Sequence, residues 1–359
     1  MLDNPKGKLK IETPALLIDL DRLEENIKKM ADFFKHKKAR LRPHFKTHKS
    51  SHISLMQIVA GAKGMTCAKV DEAQVLVEAG IKDVLIANQI VETCKIQRLA
   101  NLAKIAKITL CVDNSHTVSE LSRVAEESGC TIYVLIELEV GMKRCGVETK
   151  EQAFELAKQI VNAKGLVFEG FQAYAGHLCH KTDFEERKKG VLEAEDMVYS
   201  CKTFLEEKGI SVNEVSGSGT GIYNIQGNED VWTEIQAGSY VFMDTEYCAV
   251  NLGFEPSLTI LTTVIHKRNG YVVTDAGLKV CCQEKGKPAI KGYPDLVVSS
   301  LSEEHGKIID EGGLLHFLQK LEYIPSHCCS TVNLHDDYYC VRGESLETVW
   351  PVSGRGKSR

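Results

Sequence analysis

Residues 108–138, ITLCVDNSHTVSELSRVAEESGCTIYVLIEL, read in one pass as strand, helix and strand. The apolar runs 108–112 and 132–138 are short and rich in Ile, Val and Leu, as strands covered on both faces are. Between them, residues 117–128 repeat apolar side chains at helical spacing, and Gly129 reads as the C-cap that stops the helix. Working outward, the same unit recurs. Strands are predicted at 41–45, 64–68, 83–87, 166–173, 213–217 and 234–238, and helices at 53–60, 71–79, 93–106, 151–163 and 184–208, with Gly80, Gly165 and Gly209 as further caps. Eight strands joined by helices can make an open doubly wound sheet or a closed barrel; the count of eight favours an α/β fold of the TIM (β/α)8 type over residues 20–245.

A further strand at 15–19 leads into a helix at 21–34 and is surplus to the barrel. Beyond residue 245 the pattern changes to strands at 258–266, 270–274, 296–299, 320–323 and 338–342, without long helices between them. We therefore expect a second, mostly β domain that is discontinuous in sequence, built from residues 1–19 and 246–359.

The 359 residues carry 49 acids against 44 bases, a net charge of -5, with no long run of like charge. A nucleic-acid surface is not indicated, and the expected partner is a small molecule. No apolar run approaches the roughly 20 residues of a membrane span. Thirteen cysteines are an odd number, and residues 1–11 are polar and lysine-rich rather than leader-like. Free thiols in the cytoplasm are the expectation, most of them acting as small buried hydrophobes.

In a TIM barrel the active site is built from the loops that follow the strands, and phosphate is commonly held after strands 7 and 8. Here those loops read Ser216-Gly217-Ser218-Gly219-Thr220-Gly221 and Ala237-Gly238-Ser239-Tyr240. One glycine-rich turn can be a turn and nothing more; two at neighbouring strand ends imply a phosphate-bearing ligand held by backbone N–H groups. After the first barrel strand comes Arg42-Pro43-His44-Phe45-Lys46-Thr47-His48-Lys49. A basic cluster is more often a solvated loop, but Lys46 is placed across the barrel mouth from the phosphate loops. Partly desolvated there and beside other cations, it would be a usable amine for a Schiff base.

These segments, together with residues 13–21, Gly141-Met142-Lys143-Arg144-Cys145-Gly146-Val147, Gln236 to Tyr240 and Asp275-Ala276-Gly277-Leu278-Lys279, resemble the D-threonine aldolase and D-serine dehydratase family. These are fold-type III pyridoxal 5'-phosphate (PLP) enzymes related to alanine racemase, and the resemblance covers essentially the whole chain. It implies that Lys46 is the cofactor-bearing lysine and that Arg144 lies beside the cofactor's phenolic oxygen. It also implies that Gly219, Thr220, Gly221, Gly238, Ser239 and Tyr240 form the phosphate cup, with Tyr174 among the cofactor contacts. A homodimer is the implied assembly.

Near the C-terminus, His327-Cys328-Cys329 places a histidine and a cysteine two apart. On a strand this spacing would put His327 and Cys329 on one face, able to share a divalent ion with positions left open for water and substrate. The family uses a histidine at this place, followed two residues on by aspartate in the aldolases and by cysteine in the D-serine dehydratases. Cys329 thus departs from the aldolase pattern, and zinc, manganese, magnesium and cobalt all stay open as the metal. His335 and Asp337 form a rival pair eight residues later and read as structural. After the strand at 166–173, Tyr174-Ala175-Gly176-His177-Leu178-Cys179-His180 is expected to point two histidines at the site. His180 matches the aldolase histidine that takes the β-hydroxyl proton.

The resemblance implies a lyase of D-β-hydroxy amino acids, with retro-aldol cleavage to glycine and an aldehyde favoured. The alternative is a D-serine or D-3-hydroxyaspartate dehydratase giving a keto acid and ammonia. A PLP homeostasis protein without turnover is disfavoured, since it would need no metal-bearing β domain.

Overall fold

The computed structural model describes residues 7–359. Residues 1–6, expected to begin the β domain, lie outside the described residues. The chain divides into two compact units. One holds the described residues up to Lys29 with Thr47–His52 and Ser239–Gly356, and the other Met30–Lys46, Ile53–Gly238 and Lys357–Arg359.

The strand β1 (Ala15–Asp19) belongs to the first unit. The second unit is a barrel whose strands are β2 (Arg40–Leu41), β3 (Met65–Cys67), β4 (Asp83–Ile86), β5 (Lys107–Val112), β6 (Ile132–Leu138), β7 (Leu166–Ala173), β8 (Glu214–Gly217) and β9 (Glu234–Ile235). They lie side by side in the order β2-β9-β8-β7-β6-β5-β4-β3, with every neighbouring pair parallel. The two end strands then close on each other. Lys63 N–H donates to Leu41 O at 2.8 Å, Thr66 N–H to Pro43 O at 2.8 Å and Phe45 N–H to Thr66 O at 2.7 Å. The eight-strand reading therefore holds: the fold is a TIM-type barrel.

Helix α1 (Leu20–Phe34) leads into the barrel, and α2 (Ser51–Val59), α3 (Val70–Glu78), α4 (Thr93–Ala103), α5 (Ser115–Ser128), α6 (Lys150–Asn162) and α7 (Phe184–Glu207) link successive strands. Their ends follow from local chemistry. Asn114 accepts the Thr117 N–H at the start of α5, and Gly129, at φ 63°, ends it in the left-handed conformation that glycine adopts without penalty. Thr149 and Gln152 form a reciprocal capping box on α6, an arrangement worth about 1 kcal/mol. The buried stripe Val118, Leu121, Val124 and Ala125 then seats α5 on the sheet.

Beneath the barrel's central layer lies a charged knot. Arg42, 2% exposed, makes paired hydrogen bonds to Glu234 (2.9 and 2.8 Å) and to Asp83 (2.8 and 3.1 Å), and Lys63 reaches Glu234 at 2.6 Å. Burial alone would raise the Glu234 carboxyl, but Arg42 and Lys63 hold it down to about 2. From Glu234 the hydrogen bonds continue through Ser216 (2.9 Å) and Gln236 (2.8 Å) to Gln172 (2.6 Å). Polar groups that are buried and mutually satisfied in this way fix strand positions more sharply than apolar packing does.

After the short helices α8 (Tyr223–Gln226) and α9 (Thr245–Ala249), the remaining strands are β10 (Leu258–Arg268), β11 (Gly270–Thr274), β12 (Ala289–Ile290), β13 (Val297–Leu301), β14 (Gly306–Asp310), β15 (Lys320–Ile324), β16 (Asp337–Arg342) and β17 (Ser345–Pro351), with α10 (Cys328–Val332) between β15 and β16. They form one nine-stranded sheet with β1 included. β1 runs antiparallel to β10 (Ala15 opposite Leu261) and parallel to β16 (Leu17 opposite Tyr339). Alternate residues Ala15 and Leu17 join Ile11, Leu261 and Val341 in one buried cluster, as the period-2 geometry of a strand requires.

Candidate active site

Lys46 follows the extension of β2 that closes the barrel. Its neighbours Phe45 and Thr47 are buried, so the lysine turns the other way and stands exposed rather than partly desolvated as expected. Its Nζ lies 5.6 Å from the centre of the Tyr174 ring, and the Arg144 guanidinium lies 5.8 Å from the same ring. One aromatic ring thus gathers the amine and the arginine, at a spacing where its π-face attracts cations. Arg144 also comes within 3.8 Å of Glu137, whose own carboxyl is raised by burial.

The loop after β8 carries Ser218 at φ 73°, then Gly219, Thr220 and Gly221. A side chain at Gly221 is impossible without rebuilding the loop, since a Cβ would stand 1.7 Å from Cys179 O. Cys179 is buried, which pushes its thiol up to about 11 although the Gly221 N–H, Lys46 and the Tyr174 hydroxyl all favour the thiolate. The Ser218 hydroxyl is 1% exposed and has no hydrogen-bond partner among the described residues. An orphaned hydroxyl in a glycine loop after a barrel strand is a fitting place for a phosphate oxygen. Gly238 is the last residue of its barrel segment; Ser239 and Tyr240 begin the next segment of the other unit, where the Tyr240 ring is buried 5.7 Å from that of Phe254.

The turn after β7 separates the two histidines. His180 is half-buried, with Nδ1 shielded from solvent. His177 is exposed, its ring against Gly141, and it lines an outer cavity with Glu139, Lys181, Glu193 and Met197. His177 lies in the 3-10 turn Gly176–Leu178, whereas His180 follows it.

In the other unit, the expected strand at His327 and Cys329 is also corrected. His327 is the extended residue before α10, and Cys329 sits in that helix's first turn. Asp244 ties this turn to α9: one carboxylate oxygen accepts Tyr247 N–H at 2.9 Å to start α9, and the other accepts Cys328 N–H at 3.0 Å. The pair still meets, as a helix cap and its first turn do. The bond to Cys329 raises His327 to about 9 against the effect of burial, while the Cys328 thiol and then His327 hold Cys329 well below the usual thiol range. Thr47 Oγ1 is hydrogen-bonded to Cys329 Sγ at 3.4 Å, Ser239 Oγ lies 3.9 Å from the same sulfur, and Glu284 meets His327 Nδ1 at 3.1 Å. A thiolate and an imidazole that gives up its proton form a donor set that suits a divalent ion of zinc type. Among the described residues no group of three or more His, Cys, Asp or Glu converges. His335 is engaged elsewhere, its Nε2 2.8 Å from Val280 O.

Residues 18–246 match the alanine racemase N-terminal domain, and residues 257–341 a putative serine dehydratase domain. The chain is 41% identical to the 3-hydroxy-D-aspartate aldolase of Paracoccus denitrificans (strain Pd 1222), over 97% of this chain and 93% of that one. It is 40% identical to the D-threonine aldolase of an Arthrobacter species, over 98% and 94%. The solved D-threonine aldolase of Filomicrobium marinum superposes with a TM-score of 0.96 at 37% identity, covering 99% and 98%. The chain belongs to this D-β-hydroxy amino acid aldolase family. Three residues that shape the site in this member escaped the sequence reading: Cys179 beneath the glycine loop, Asp244 beneath the His327 turn and Glu139 beside Arg144. Only Asp244 left a local signal, as an N-cap residue followed by Thr245 and Glu246.

Proposed function

We propose that the protein is a PLP- and metal-dependent lyase that cleaves D-β-hydroxy amino acids to glycine and an aldehyde. The observation carrying this is the gathering of the Lys46 amine, the Arg144 guanidinium, Tyr174 and the Gly219–Gly221 loop around one point of the barrel, in a chain whose full-length relatives are aldolases.

Lys46 would hold the cofactor through its amine, Arg144 would face the ring oxygen, and the N–H groups of Gly219 to Gly221 and Gly238 to Tyr240 would hold the phosphate. PLP, when bound, supplies a sink for the electron pair freed as the Cα–Cβ bond breaks. His180 takes the proton from the β-hydroxyl, so that the oxygen becomes the aldehyde carbonyl. His327 and Cys329 would hold a divalent ion, which supplies Lewis acidity when bound. Residues 20–245 form the cofactor domain in this reading, and residues 1–19 with 246–359 the metal-bearing one. The thirteen free cysteines support a reducing, cytoplasmic setting. No helix of the described residues is long and apolar enough to cross a membrane. The partner is a small D-β-hydroxy amino acid, and the working assembly a homodimer, which size-exclusion with light scattering would check.

Cys329 favours a second reading, dehydration to a keto acid and ammonia. Incubating the holoenzyme with D-threonine, 3-hydroxy-D-aspartate and D-serine, with and without chelator, separates the two. Glycine with aldehyde and no ammonia is expected; ammonia with a keto acid as the main products would overturn the aldolase reading.

A further inference from the structure

Arg144 is a poorly restrained side chain in an important place. It is 54% exposed, and the ion pair that it makes, with Glu137, is long at 3.8 Å. Holding an exposed arginine still costs up to about 2 kcal/mol of rotamer freedom, so its backbone has to be placed well for the side chain to reach Tyr174. What places the backbone is Glu139. The Glu139 carboxylate accepts the N–H of Gly141 on one oxygen and that of Arg144, at 3.2 Å, on the other. The chain wraps round it with Gly141 at φ 110°, Lys143 at 51° and Gly146 at 111°, and both flanks are tied down: Glu139 N–H to Val147 O and Val147 N–H to Glu137 O, each 2.9 Å.

Successive N–H groups turned inward make a concavity that binds anions. Here the anion is the chain's own carboxylate. Burial would raise the Glu139 carboxyl, but the N–H groups of Lys143, Gly141, Arg144 and Met142 together hold it below its usual range. The interaction is therefore with the ionised form, and both carboxylate oxygens are needed as acceptors.

We propose that Glu139 is a positioning residue, whose carboxylate folds residues 140–144 around itself and thereby sets where the Arg144 guanidinium stands over the Tyr174 ring. The inference rests on the reading of Arg144 as a cofactor contact. In Glu139→Gln one oxygen becomes an NH2 that faces a backbone N–H, donor against donor, so the loop must shift.

The test compares the visible absorbance of PLP-loaded protein, and PLP retention on dialysis, among wild type, Glu139→Gln, Arg144→Ala and the double variant, with thermal melting of each. Glu139→Gln is expected to move the absorbance band in the same direction as Arg144→Ala, to weaken retention roughly three- to tenfold, the scale of one ordinary hydrogen bond lost, and to add nothing in the Arg144→Ala background. A Gln variant with wild-type spectrum and retention overturns the proposal, as does an effect that adds in full to that of Arg144→Ala. If Arg144→Ala itself leaves the spectrum unchanged, the Arg144 reading fails and takes the proposal with it, a result distinct from the first two. Should the Gln variant melt far below wild type, Glu139→Asp is read instead: it keeps the charge, so partial recovery of the band supports the proposal and its absence overturns it.

Discussion

Lys46→Ala is expected to give a folded, colourless protein, without the visible absorbance of bound PLP and without lyase activity; a variant that kept the band would remove Lys46 from its role. His180→Asn, which keeps polarity but not basicity, is expected to lower kcat by about 10²- to 10⁴-fold with little change in PLP retention. Cys329→Ala is expected to weaken metal binding by at least about 10- to 100-fold in a competition assay with a chelator, since even indirect partners of a bound metal are worth that much. At this scale the sequence was readable where the signal was local. Lys46 after an apolar strand, and glycines spaced in a loop, announce themselves. Glu139, Cys179 and Asp244 do not: Glu139 acts through the backbone of a turn that has no periodicity of its own, and Asp244 meets Cys328 from 84 positions away.

Among the elements, the strands and helices of the barrel were legible because each has its own apolar periodicity and a glycine stop, and the β domain was less so. β12 is two residues long, β14 is a five-residue GKIID, and β17 is nearly all exposed, so none has the alternation that marks a half-buried strand. They exist because neighbouring strands supply hydrogen-bond partners, as Tyr338 and Cys340 of β16 do for β17. Helix α7 carries a testable consequence. Its Glu195 is 2% exposed and accepts a hydrogen bond from Trp232 Nε1 at 2.6 Å, and burial pushes the carboxyl up to about 7 despite that bond. A folded-state value above the ordinary 4.5 means that the folded chain binds this proton more tightly. The resulting stability is complete below about pH 4.5 and is lost as pH rises through about 7. Glu195→Gln keeps the acceptor for Trp232 and removes the charge. It should raise Tm by a few degrees at about pH 8, with no gain at about pH 4.5, in scanning fluorimetry across that range.

For the whole molecule, the knot at Arg42 sits where the barrel closes. Arg42 joins residues at the starts of β4 and β9 where β2 and β3 close on each other. Arg42→Met would leave Glu234 buried with Lys63 as its remaining cation, and is expected to cost about 3–5 kcal/mol in urea denaturation. Because Lys46 and the loop after β8 lie at the other ends of their strands, the surviving folded fraction should still bind PLP. The composition favoured neither a nucleic-acid surface nor a membrane bundle; it held no sign of this knot, since buried and exposed charges count alike in a net charge.

β1 brings the matter of time into the picture. Its antiparallel neighbour β10 begins more than two hundred residues after it in the chain, and β16 later still. At bacterial to eukaryotic elongation speeds of about 5–20 residues per second, the apolar run Ala15–Ile18 waits on the order of ten seconds or longer for a partner. Until β10 has been made, the nascent chain therefore carries an apolar strand without its sheet neighbours, and arrival of β10, rather than barrel closure, is the step that first pairs it.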